Sequence, residues 1–191
     1  MTDKATSKQR KKPSWMRTVI PISILVIILI TSGSIGWVLS GYCAIVSGDS
    51  MYQTLLSDDI IYGTKSPSES QLSYGSVIVI RDDHKWSGSK KLLVKRVIGL
   101  PGDTITISKN GLIQRNKVLI KGEKAYTMGC RNGGGTITIP QGQVFIRGDN
   151  VNVSDDSRYQ YCNGDDDYTL PISSIRLLIS NRIALGSLIR E

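Results

Sequence analysis

The feature that most constrains this chain is a run without a single charge from Thr18 to Leu39, "TVIPISILVIILITSGSIGWVL", whose centre at Ile24–Ile30 is entirely aliphatic. As a helix rising about 1.5 Å per residue, it is long enough to cross a hydrocarbon core of roughly 30 Å. Helix is also the form a single span must take, because lipid offers the backbone no hydrogen-bond partners. Pro21 falls in the first turn, where a missing N–H costs little, and Trp15 and Trp37 flank the run as interfacial aromatics do. Lys4, Lys8, Arg10, Lys11, Lys12 and Arg17 precede it with only Asp3 against them, which places the N-terminus in the cytoplasm. The chain is therefore expected to have three parts: a basic cytoplasmic tail (1–17), a transmembrane anchor (18–39) and an extracytoplasmic domain (40–191). A basic start and an apolar centre also fit a cleaved secretory signal; the length of the apolar run favours a retained anchor.

The anchor changes how the charge reads. Of the formal net charge of +8, the first 17 residues carry +5, so the body is nearly balanced. No basic stripe with interleaved aromatics follows, and nucleic acid is excluded as a partner. The expected partners are a lipid bilayer and whatever meets the domain beyond it.

The body is rich in short β-like runs. "GSVIVI" (75–80), "KLLVKRVIGL" (91–100), "DTITI" (103–107), "LIQRNKVLI" (112–120), "GTITIP" (135–140) and "QVFIRGD" (143–149) are bounded mostly by Gly, Asn, Asp or Pro. Asn110-Gly111 signals a hairpin, and Arg115-Asn116 could turn within its segment. Outside the anchor no stretch holds a helical period, so loops are expected at 66–73, 84–90, 126–134 and 157–170. The segment after Pro171 could be a short helix or a strand.

The single histidine, His84, lies in a polar stretch where a surface role is the simpler reading. Cys43, Cys130 and Cys162 lack metal-ligand spacing, and no metal or cofactor is expected. A serine can instead be activated by a lysine, provided the lysine is neutral. Since a free lysine titrates near pH ~10.4, burial is the available lever. Lys95, bracketed by Val94 and Val97 and sharing a face with Leu93 and Val97, meets that requirement; an edge-strand lysine that blocks aggregation is the alternative. Ser50, in "SGDSMYQTL" (47–55), reads by itself as a turn serine.

Three stretches in order, "SGDSMYQTL", "VKRVIGLPGD" and "GDNVNVSDDSRY" (148–159), resemble the signature blocks of the type I signal peptidases, membrane-anchored serine proteases with a Ser-Lys dyad. The resemblance implies an antiparallel β catalytic domain behind one N-terminal transmembrane helix. It implies Ser50 as nucleophile and Lys95 as general base. The third block matches at Gly148, Asp149, Asn150, Ser154, Asp156, Ser157 and Arg158. Ser154 would hydrogen-bond and orient the lysine, and Asp156 with Arg158 would form a supporting ion pair. The backbone N–H of Ser50 would serve the oxyanion hole, where Gly48 lacks the side-chain donor some members carry. Gln53 stands where the family usually has proline, a loosened turn with no chemical group lost. The segment 160–170 is longer than usual.

The implied substrates are exported preproteins with small residues at the cleavage site, met at the cell membrane close to the export channel. A specialised relative with a dedicated substrate, such as a pilin of a mobile element, and a non-catalytic peptide-binding β-domain are the other readings. In an oxidising compartment Cys130 and Cys162 could form a disulfide.

Overall fold

The computed structural model describes residues 43–83, 86 and 90–185, all within one compact unit, Tyr42–Glu191. The predicted tail, the predicted anchor and His84 lie outside the described residues. Among the described residues no helix is long and apolar enough to cross a membrane.

The fold is mostly antiparallel β, as expected. One sheet has seven strands in the order β1-β2-β11-β3-β4-β9-β10: Cys43–Ile45, Ile60–Lys65, Ile175–Ile183, Val77–Asp83, Lys90–Gly99, Gln143–Arg147 and Leu170–Pro171. The second has four, β7-β6-β5-β8: Val118–Leu119, Ile113–Arg115, Thr104–Ile107 and Gly135–Thr138. The small sheet is an excursion in the chain between β4 and β9, which themselves pair through Val97 with Ile146 and Gly99 with Phe145.

Three apolar clusters hold these layers. The first, with Ile78, Ile80, Val97, Val144 and Ile146, lies on the large sheet. The second, with Ile98, Ile105, Ile113, Ile139 and Phe145, joins the small sheet to β9. β9 therefore feeds one cluster with Val144 and Ile146 and the other with Phe145 from its opposite face. This two-sided burial explains its unbroken apolar run. The third cluster, Val46, Met51, Leu55, Ile61, Val79 and Leu177, lies beneath the first sequence block.

All six anticipated strand segments are strands, and "LIQRNKVLI" splits into β6 and β7 around Asn116-Lys117, both at positive φ. The hairpin at Asn110-Gly111 joins β5 to β6. The stretch expected as a loop over 157–170 instead begins with a helix, α1 (Ser157–Asn163). At seven residues it is far too short to stand alone. Asp156 caps its N-terminus through the backbone N–H groups of Arg158 and Tyr159, and Gly164 (φ +92°) ends it in the left-handed region. Cys162 ties it by a disulfide to Cys130. β1, β2 and β10 were also not anticipated. β2 contains Gly63, where a Cβ would lie 1.9 Å from the Leu178 carbonyl oxygen, beside the irregularity of β11 between Ile179 and Asn181.

Candidate active site

The first block is a tight turn bolted to the core by its apolar half. Tyr52 donates to the Asp49 carbonyl, and Thr54 and Leu55 both donate to that of Met51. Met51 and Leu55 are 1% and 4% exposed, so the second half of "SGDSMYQTL" anchors the loop inside the third cluster. Two residues adopt positive φ, Gly48 at +89° and Gln53 at +82°. A proline is fixed near −65°, so the turn at Gln53 is not a looser version of one containing proline; it has a conformation proline cannot enter. From outside the turn, Arg182 donates to the Thr54 carbonyl and to Asp59.

A second set of contacts ties this turn to the third block. Asn150 donates its backbone N–H to the Ser50 carbonyl (2.9 Å) and its side-chain amide to that of Asp49 (3.1 Å). Thr54 donates to Asp149 at 2.5 Å, and Asp149 also takes a two-pronged contact from Arg96, at 2.8 and 2.6 Å. Arg96 follows Lys95 on β4, so one carboxylate links the first, second and third blocks. Bidentate arginine–carboxylate contacts fix orientation as well as distance. The pairing holds the Asp149 carboxyl below its usual range, its burial being outweighed by Arg96 and Thr54.

Gly148 sits where the blocks meet. A Cβ there would lie 2.2 Å from Ser154 Oγ, 2.5 Å from the Ser50 carbonyl oxygen and 2.6 Å from Ser154 Cβ. Its φ is not positive, so the demand for glycine here is one of space.

Ser50 and Lys95 line one small cavity of about 140 Å³, together with Ala44, Gly48, Leu93 and Val94. Lys95 lies opposite Ile78 in the β3–β4 register and is only 3% exposed. Burial pushes its ammonium pKa below the ordinary lysine range, against the opposing pull of Asp156 and then Asp155. Gly48 faces open space, with nothing within 4 Å of a Cβ placed there.

Two contacts implied by the resemblance take a different form. Ser154 is 4% exposed, but its Oγ has no hydrogen-bond partner among the described residues, and so makes no bond to Lys95. It lies against Gly148. Asp156 and Arg158 meet through the backbone N–H of Arg158 (3.1 Å), not through their side chains. The Asp156 carboxylate is engaged by three backbone N–H groups, those of Gly148, Arg158 and Tyr159. The Arg158 guanidinium turns instead to the Val151 carbonyl (3.0 Å), to Glu123 and to the ring of Tyr126. The reason is local: Asp156 is hydrogen-bonded in capping α1, so it acts on the guanidinium through charge alone, while the side-chain ion pair is made with Glu123.

Cys130 and Cys162 are joined, with Cα atoms 4.4 Å apart, and the bridge pins the end of α1 to the loop before β8. Cys43 lies exposed on β1 and takes no part in it. Among the described residues no cluster of His, Cys, Asp and Glu could hold a metal ion.

The chain is similar to known proteins over most of its length. The family described as "Signal peptidase, peptidase S26" matches residues 14–175. "Signal peptidase I P" of Bacillus subtilis subsp. natto is 30% identical over 167 residues, covering 83% of this chain and 84% of the relative. "Signal peptidase I" of Bacillus licheniformis is 30% identical over 165 residues, covering 82% and 83%. A solved signal peptidase I from Enterococcus faecalis V583 shares 21% identity, with a TM-score of 0.41, over 58% of this chain and 97% of the other.

Proposed function

Because the chain belongs to the signal peptidase family, peptidase S26, and is a serine peptidase, we propose that it is a membrane-anchored endopeptidase that removes the signal peptides of exported preproteins with a Ser50–Lys95 dyad. The observation that carries the reading is that Ser50 and a buried lysine, whose pKa is lowered by that burial, line the same cavity.

In this reading, neutral Lys95 takes the proton from Ser50 Oγ as the oxygen attacks the scissile carbonyl. The protonated lysine then gives that proton to the leaving amine. Lys95, neutral again, activates a water that hydrolyses the acyl-enzyme. The developing oxyanion is met by the backbone N–H of Ser50, and Gly48 adds no side-chain donor. The buried and uncommitted hydroxyl of Ser154 is available to orient Lys95 once its side chain rotates away from Gly148. Asp156 supports that loop by capping α1 and by holding the N–H of Gly148. Arg158, buried at 1% exposure, supports it from the helix.

A cavity of this size accepts small side chains, which suits cleavage after residues of the Ala-x-Ala type. The apolar run at 18–39 would anchor the chain with 1–17 in the cytoplasm and 40–191 outside, beside the export channel, where such sites emerge.

The test is incubation of the purified full chain with a preprotein, wild type beside Ser50→Ala and Lys95→Arg, with the cleavage site sequenced. Both variants are expected to lose cleavage, since arginine keeps the charge but cannot act as a base. Cleavage by Ser50→Ala at the wild-type rate would overturn the dyad.

A further inference from the structure

The loop after β7 carries Glu123, a glutamate in a polar stretch with no motif around it. A turn at Lys121-Gly122 delivers it, with the Glu123 N–H donated to the Ile120 carbonyl and Gly122 at φ +74°. Its side chain has 0% exposure. It receives a hydrogen-bonded ion pair from Arg147 and lies 3.6 Å from Arg158 Nη1. Arg147 ends β9 and Arg158 lies in the first turn of α1. The segment between those two arginines, 148–157, contains Gly148 and Asn150, which meet the Ser50 turn, Ser154, which lies against Gly148, and Asp156, whose charge acts on Lys95.

Three carboxylates face these arginines, and two are already committed. Asp149 is held by Arg96 and Thr54, and Asp156 by three backbone N–H groups. Arg147 also lies directly opposite Arg96 in the β4–β9 register, a like-charged cross-strand pair that needs separate counter-ions. Glu123 supplies the second. Glu123 Oε1, Arg158 Nε and Nη1 and Arg147 Nε have no hydrogen-bond partner among the described residues, so charge is what holds these groups: Glu123 acts on both arginines, and Asp156 acts on Arg158 as well. Removing one partner from a buried ionic set leaves uncompensated charge behind.

We infer that Glu123 is a positioning residue for the peptidase reaction: shared by Arg147 and Arg158, it clamps both ends of the segment that carries Gly148 and Ser154. This rests on the dyad reading above. A loop of the small-sheet excursion thereby acts on the catalytic segment from outside the lining of the Ser50–Lys95 cavity.

The experiment compares wild type, Ser50→Ala, Glu123→Gln and the double variant Glu123→Gln/Arg147→Gln in cleavage of one preprotein peptide. Folding is followed by circular dichroism at the assay temperature. For Glu123→Gln, kcat is expected to fall at least tenfold with KM within twofold, because the cavity lining is untouched. If Glu123→Gln does not fold, the double variant, with one uncompensated arginine fewer, is expected to fold and still show a kcat at least tenfold below wild type. A folded Glu123→Gln with kcat within twofold of wild type, or a double variant at the wild-type kcat, overturns the inference and leaves the dyad standing. A Ser50→Ala protein that cleaves normally overturns both.

Discussion

Gly148→Ala is the smallest change that tests the geometry linking the three blocks. It adds one methyl group at a position whose backbone any residue can adopt, so its effect isolates the space between Ser50 and Ser154. To bring the new Cβ from 2.5 Å to an ordinary contact of about 3.4 Å, the Ser50 carbonyl must retreat by about 0.9 Å. That carbonyl accepts the Asn150 N–H at 2.9 Å, and a retreat along that bond stretches it beyond hydrogen-bond range. Ser154 cannot escape by rotation alone, because its Cβ is also only 2.6 Å away. Overpacking of this kind costs roughly 1–3 kcal/mol, which for a domain of this size lowers the melting midpoint by about 2–12 °C. A displacement of about 1 Å in a reacting group costs on the order of 100-fold in rate, and here it should fall mainly on kcat. The assay is single-turnover cleavage of a preprotein peptide with a thermal melt beside it. Gly142→Ala serves as control: it sits at φ +72° with nothing within 4 Å of its Cβ, so it adds strain without a clash and should retain activity. A Gly148→Ala protein that cleaves within threefold of wild type and melts at the same temperature refutes the reasoning.

Other consequences follow from the same packing. The Lys95 pKa is lowered in the folded state, so between that lowered value and about 10.4 the unfolded chain binds more protons and stability rises with pH. Lys95→Met should therefore be inactive but more stable than wild type, by the widest margin below the lowered pKa and by none above pH ~10.4; urea midpoints at pH 6, 8 and 10.5 check this, and a less stable variant at pH 6 contradicts it. Gln53→Gly should stabilise by about 1 kcal/mol by relieving a left-handed residue, while Gln53→Pro should cost stability and activity together; thermal midpoints read the stability changes and the cleavage assay reads the rate. Reducing the Cys130–Cys162 bridge, which spans 32 residues, should cost roughly 3–4 kcal/mol in urea unfolding with and without reductant.

Much of this was legible in the sequence for physical reasons. β3, β5 and β9 are short apolar runs rich in Val and Ile that bury at least one face, so local composition and burial agree. Lys95 could be noticed because a lysine inside such a run has few places to put its charge. α1 was hidden because it has no period of its own: a cap, a disulfide and a buried arginine make it. Its ends were nonetheless written in Asp156 and Gly164, at the spacing of a helix start and stop. β2 was obscured by Gly63, which answers to the backbone of β11, far away in sequence. Glu123 left no local signal, since a glutamate in a polar loop looks solvated until the fold brings two arginines to it. The Asp156–Arg158 pair takes a less direct form than neighbours in sequence suggest: the helix cap holds the carboxylate, so the two meet through the Arg158 N–H and through charge, without a side-chain contact.

The place of the small sheet in the chain bears on how such a protein can diversify. Gly99, the last residue of β4, lies opposite Phe145, two residues into β9, so residues 100–142 leave and re-enter the platform at neighbouring strands. By connectivity alone the excursion resembles a removable graft that a short turn could replace. By its contacts it is a wedge: Phe145 needs its isoleucines, α1 needs Cys130, and Arg147 needs Glu123. Length can therefore drift freely at its hairpin tips, while wholesale deletion would unseat the very strands it springs from.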